Sequence, residues 1–148
     1  MATSTQSAMG ANAMAAGFYF QTADGTSTTV TSSQQIYDTL TQLGAQQDPN
    51  IDLVQNGVGT LSISVKDGFA LLRNESASLD PPYFSASVGT PVVPASSLDA
   101  DGNFNFLVGD TPTPVPPNRG VPIDTAVQVA QYYYQTGSLS PNVQWIED

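Results

Sequence analysis

The sequence predicts an α+β fold, a mainly antiparallel sheet built from hairpins with two helices packed on it. Three observations predict it. Short runs alternate apolar and polar residues and are separated by Asp-Gly or Asn-Gly pairs, as in β-strands joined by tight turns. Two segments instead repeat their apolar residues with helical spacing, each followed by a glycine. Their order is strand, helix, several strands, helix, strand, which places helices on one sheet rather than between parallel strands.

Residues 1–16, MATSTQSAMGANAMAA, are small and polar without periodicity, so a mobile N-terminus is expected there, with a single domain over 17–148. From Gly17, Phe18, Phe20 and Thr22 alternate with Tyr19 and Gln21 ahead of Asp24-Gly25, a first strand and its turn. In SSQQIYDTLTQLG, Ser32 and Gln35 have capping-box spacing and Ile36, Leu40 and Leu43 share one helical face. Gly44 is expected to supply a left-handed stop.

Asp52–Gln55 and Asn56-Gly57 predict a short strand and a turn. Leu61, Ile63 and Val65 then alternate with Ser62, Ser64 and Lys66, and Asp67-Gly68 turns the chain into the returning strand FALLR. A further strand is expected over Tyr83–Val88. The stretch 91–109 predicts a second hairpin, with Val92 and Val93 in one arm, Asp101-Gly102 as the turn, and Phe104, Phe106 and Val108 in the other. Residues 110–122, DTPTPVPPNRGVP, are expected to be an extended connector, since proline donates no hydrogen bond to a ladder or a helix interior. Asp124 opens the second helix, with Ala126, Ala130 and Tyr133 on one side and Gly137 as its stop. Val143 and Trp145 alternate with Gln144 and Ile146 in a last strand.

Thirteen acids oppose only Lys66, Arg73 and Arg119, a formal net charge of −10. The imbalance comes from a lack of bases rather than a density of acids, because only 11% of residues are charged. Such a field repels a phosphate backbone and attracts a basic protein, so direct nucleic-acid binding is not expected. The chain has no Cys and no His, which excludes thiol nucleophiles, disulfides, His-based triads and Cys/His zinc sites. Residues 1–16 lack the charge and apolar core of a signal peptide and nothing later is long and apolar enough for a membrane span, so a cytoplasmic protein is expected.

Asp99, Asp101, Asn103 and Asp110 match several ligand positions of a calcium loop, but Phe104 stands where that loop needs glycine, so no metal or cofactor is expected. Gly57-Val58-Gly59 lacks the third glycine of a dinucleotide fingerprint. The acid pairs Asp99/Asp101 and Glu147/Asp148 fall in turns or at the end of the chain, where nothing encloses them, and no catalytic residue is assigned. Tyr132, Tyr133 and Tyr134 cannot all face the core of one helix, which leaves at least one ring, Tyr132 being the candidate, for a partner.

The closing run VPIDTAVQVAQYYYQTGSLSPNVQWIED resembles that of the first-numbered immunity-protein family of bacterial polymorphic toxin systems. The resemblance is carried by Val121-Pro122 before the helix, Tyr133 or Tyr134, Thr136-Gly137, Pro141, and Trp145 and Glu147. Ile146 separates the last two, which departs from the family's Trp-Glu pair. The early helix, LSISVKDGFALL and YFSASVG look like the family's β-rich middle, so the resemblance covers roughly 17–148.

The resemblance implies a non-enzymatic antitoxin that inhibits a nucleic-acid deaminase toxin, a basic, zinc-containing partner, by covering its substrate groove. Within that reading Asp67, Asp99, Asp101 and Asp110, with Glu75 and Asp80 nearby, are the acids expected to meet the partner. The rival readings are a non-catalytic surface or appendage interaction module, which a Ser/Thr/Gly/Ala-rich, Lys-poor chain also suits, and a small carboxylate hydrolase.

Overall fold

A computed structural model describes residues 17–46 and 48–148; the expected mobile N-terminus lies outside the described residues. Strand β1 (Phe18–Gln21) turns at Asp24-Gly25 into β2 (Ser27–Thr29). The sequence does not announce β2, because three exposed Ser and Thr residues carry no apolar alternation. Helix α1 (Ser33–Leu43) starts as its spacing predicts: the Gln35 N–H donates to Ser32 Oγ at 3.1 Å, and Ile36, Leu40 and Leu43 are buried.

The expected left-handed stop at Gly44 is not there. Gly44 has φ −66°, an ordinary helical value, and a Cβ at that position would stand 3.1 Å from Val65 Cγ1. What restricts residue size there is the approach of the helix end to the sheet.

Strands β3 (Asn50–Gln55), β4 (Gly59–Lys66), β5 (Phe69–Ser76) and β6 (Phe84–Ser87) follow as a meander. The β4–β5 turn has positive φ at both central residues, 53° at Asp67 and 84° at Gly68, the combination that matches the twist of a two-residue hairpin. Beyond an irregular stretch come β7 (Phe104–Val108) and β8 (Thr111–Val115), then β9 (Val121–Pro122), helix α2 (Ile123–Thr136) and β10 (Gln144–Glu147). Here Gly137, at φ 73°, is the left-handed stop, and its N–H donates to the Tyr133 carbonyl at 2.8 Å.

Two expectations for the middle of the chain are corrected. Asp101-Gly102 does form a turn, but it joins no two strands: Val92 and Val93 lie in an irregular segment bounded by Pro91 and Pro94, and β7 pairs forwards with β8. The proline-rich segment is therefore partly a strand. Pro112 and Pro114 alternate with Thr111, Thr113 and Val115, so one side of the segment keeps its N–H groups for β7 while both prolines fall on the other. β8 tolerates this because it has a single neighbour.

The large sheet is antiparallel throughout, ordered β10-β6-β5-β4-β3-β1-β2, with β9 pairing the start of β5 beside β6. Both helices cover one face. The first core lies between them and the sheet and includes Ile36, Leu40, Leu53, Leu61, Leu72 and Val129, each at most 1% exposed. Complete burial of such a side chain contributes about 1.5–3 kcal/mol. Val143 is buried there as well. Trp145 packs against the same core, its Nε1–H donating to the Ser140 carbonyl at 2.9 Å. A second core of Leu71, Val93, Phe104 and Phe106 lies on the opposite face, beneath an arm formed by β7 and β8.

Candidate functional site

Strand alternation determines what each face of the sheet presents. Leu53, Leu61, Ile63 and Leu72 point to the helices, so their neighbours Asp52, Thr60, Ser62 and Leu71 point the other way. The arm covers only part of that second face. Phe104 packs edge-on against Phe69, ring centroids 5.9 Å apart, and Leu71 shares the second core with Phe106. The tip residues Val108 and Gly109 reach the hollow over Asn50, Asp52 and Ser64. Among the described residues nothing covers the remainder of the face.

That open area is a trough of two hollows that share Gln21 and Asp52. One lies between the arm tip and the β1–β2 turn; the other runs past Tyr19, Val54 and Thr60 to the loop after β5. Its lips are aliphatic. Val108 is 39% exposed at one end, and Leu79, held at φ 62°, is 61% exposed at the other. Polar pairs across β3 and β4 line the floor: Ser62 Oγ–H donates to Asp52 Oδ1 at 2.8 Å and Ser64 Oγ–H to Asn50 Oδ1 at 2.6 Å.

Asp52 is the distinctive group. Burial pushes its carboxyl above the ordinary aspartate range, and the Ser62 hydrogen bond only partly opposes the shift. Its Oδ2 accepts no hydrogen bond among the described residues. In the β1–β2 turn, between the lining residues Ala23 and Gly25, the exposed Asp24 behaves oppositely. The Thr22 hydroxyl and, at 2.9 Å, the Thr26 N–H donate to its carboxylate and hold its pKa at about 2.

All three bases are engaged within the chain, and none lines the trough. Lys66 Nζ lies 5.3 Å from the Phe104 ring centroid. Arg119 Nη1–H donates to Asp148 Oδ1 at 3.1 Å, and Arg73 Nε lies 3.4 Å from Asp148 Oδ2 and 3.9 Å from Glu75 Oε2, over the Tyr83 ring. Asp52, which no base of the chain contacts, thus keeps its field, while Glu75 shares Arg73 with Asp148.

The acids singled out in the sequence divide into two groups. Glu75 borders the trough from β5, Asp80 follows the lip residue Leu79, and Asp110 follows Gly109 at the arm tip. The other residues stand apart. Asp67 is exposed in the β4–β5 turn; Asp99 and Asp101 lie at the base of the arm, about 17 Å from its tip for a five-residue strand. Tyr132 is half-buried on α2, in the helix layer on the far side of the sheet.

Asp99 organises its own turn. Its Oδ1 accepts from the N–H groups of Asp101 and Asn103, both at 2.9 Å, and Oδ2 from Asn105 Nδ2 at 2.7 Å, which holds its carboxyl below the ordinary range. Asp52 and Asp24 are the acids that sequence reasoning missed. The available signal for Asp52 was its alternation with Ile51 and Leu53, which assigns it to the polar face of a strand.

Among the described residues no three His, Cys, Asp or Glu side chains are placed to hold a metal ion, and no helix is long and apolar enough to cross a membrane. Chemically the trough offers a half-buried carboxylate, hydroxyls, and apolar lips, a combination complementary to a cation carried on an apolar stem. The family described as Immunity protein Imm1 matches the chain over residues 22–147. No curated protein and no solved structure matches it.

Proposed function

Because the chain belongs to the Imm1 family of immunity proteins, whose partners are protein toxins, we propose that it silences a nucleic-acid deaminase toxin by seating the trough face over the toxin's substrate groove. The observation that carries this reading is the charge of the trough lining, which holds Asp52 and Glu75 and no base. Asp24 and Asp110 stand next in sequence to the lining residues Ala23 and Gly109, and all three bases are held by partners of this chain.

A deaminase that acts on nucleic acid binds its substrate through a cationic groove and draws a base into a zinc pocket. A negative surface is attracted to the same groove, and occupying it excludes the strand. Inhibition of this kind requires no catalysis. In this reading the zinc belongs to the toxin, and the inhibitor works in the cytoplasm, where a toxin directed at nucleic acid must be met. Asp67, Asp99, Asp101 and Tyr132 lie outside the trough, and the proposed contact gives them at most a peripheral part.

The test is to purify the chain with the toxin domain encoded beside its gene and to measure complex formation and deamination together. A complex whose formation removes deaminase activity is expected. Absence of binding, or a complex that still deaminates, contradicts the proposal.

A further inference from the structure

Phe104, Phe106 and Val108 form one row on the underside of the arm, since alternate residues of a strand share a face. The first two are 0% and 1% exposed in the second core, but the row continues past that core, and Val108 borders the hollow over Asp52 with 39% of its surface uncovered. Beneath it Ser62 fixes Asp52 Oδ1 at 2.8 Å, and among the described residues no donor reaches Oδ2. No base of this chain lines the hollow. An aliphatic wall above a carboxylate oxygen without a donor matches a long side chain that is apolar along its stem and cationic at its head.

We infer that the hollow between the arm tip and the β1–β2 turn is the receptor for one arginine side chain of the toxin, its stem against Val108 and its guanidinium on Asp52 Oδ2. The inference rests on the toxin-binding reading above and names the anchor of that contact. Arginine fits better than lysine. Its planar fork can hold Oδ2 and still present donors to the polar rim at Thr22 and Asn50, and a guanidinium loses less hydration on partial burial than an ammonium. A half-buried carboxylate so paired acts as a specificity determinant, because a partner without the cation leaves it desolvated and unpaired.

The pocket can be tested without the toxin. Nα-acetyl-arginine amide, titrated at millimolar concentration and followed by NMR, is expected to shift the amides of Ser62, Val108 and Gly109. The neutral isostere Nα-acetyl-citrulline amide is expected to leave them in place. Asp52→Asn, which keeps shape and an acceptor for Ser62, and Val108→Lys, which supplies a competing ammonium at an exposed position, should both abolish the response. Equal shifts with citrulline, or none with arginine, overturn the receptor, and a stronger response to Nα-acetyl-lysine amide overturns the choice of guanidinium.

The same Asp52→Asn substitution should weaken binding of the toxin domain roughly 30-fold or more. If wild type and variant bind the toxin equally, the anchor is wrong while the toxin-binding reading stands. If the arginine compound binds but the toxin does not, the receptor stands and the toxin-binding reading falls.

Discussion

The proposed binding role of Asp52 and its cost to folding can be measured apart. Its carboxyl is raised by burial, so the ionised form is less well solvated in the native state than in the unfolded chain. Below the ordinary aspartate range both states are neutral and the cost is absent; it develops as pH rises through the ordinary value, where the unfolded chain ionises first, and is complete above the raised native value. Asp52→Asn is therefore expected to melt at a higher temperature than wild type at pH 7 and at the same temperature near pH 3. A variant less stable at pH 7 would show that the charge stabilises the fold. Asp99 and Asp101 supply a second contrast at this scale. Asp99→Ala removes the acceptor of three hydrogen bonds and should cost about 1–3 kcal/mol in chemical denaturation, whereas Asp101→Ala should stay within about 0.5 kcal/mol. Equal costs for the two would remove the structural role given to Asp99. The sequence placed both in a turn, but which of them holds it depends on the backbone path.

Among the elements, the arm is the one whose partner the sequence misassigned. One turn pair was legible, Asp101-Gly102; the turn at Gly109-Asp110, which joins β7 to β8, fell at the expected border between strand and connector. The choice between them depended on whether β7 found more backbone hydrogen bonds behind it or ahead of it. Prolines at alternate positions leave one side of β8 intact, a compatibility that residue counting overlooks. A two-stranded ribbon on a four-residue core should open independently of the main sheet. Phe106→Ala, which deletes a 1% exposed ring, is expected to cost the arm about 3–5 kcal/mol. Amide exchange should then accelerate across residues 104–115 while β4 and β5 keep their protection, and toxin affinity should fall. Uniform acceleration across the chain would mean that the arm and sheet unfold as one unit.

Across the whole molecule, charge is organised by what neutralises it. Asp148 holds Arg73 and Arg119 on the face that carries the trough, so its loss removes one negative charge and releases two positive ones near the proposed interface. Asp38, on exposed α1, removes the same formal charge from the helix layer when neutralised. Asp148→Asn should therefore slow association with the toxin roughly two- to fivefold at low salt and Asp38→Asn much less, with the difference disappearing at high ionic strength. Stopped-flow rates across a salt series measure this directly. Equal rates for the two variants would mean that net charge alone steers the encounter.

The sequence by itself determined the α+β class, both helices, the β4–β5 hairpin and the net negative charge. These follow from spacing, turn residues and composition, all of which act over a few residues or are simple sums. Tertiary structure alone decided that Gly44 is small because Val65 approaches it, that β7 pairs with β8, and that Glu75 lines a trough, with Asp80 and Asp110 next in sequence to its residues Leu79 and Gly109, while Asp67, Asp99 and Asp101 lie apart from it. It also decided that Asp52, unremarkable in the sequence as one polar residue of a strand, becomes the half-buried centre of that trough. The physical reason is that desolvation and convergence depend on which distant segments cover a face, and the arm that makes one lip of the trough arrives from more than fifty residues away.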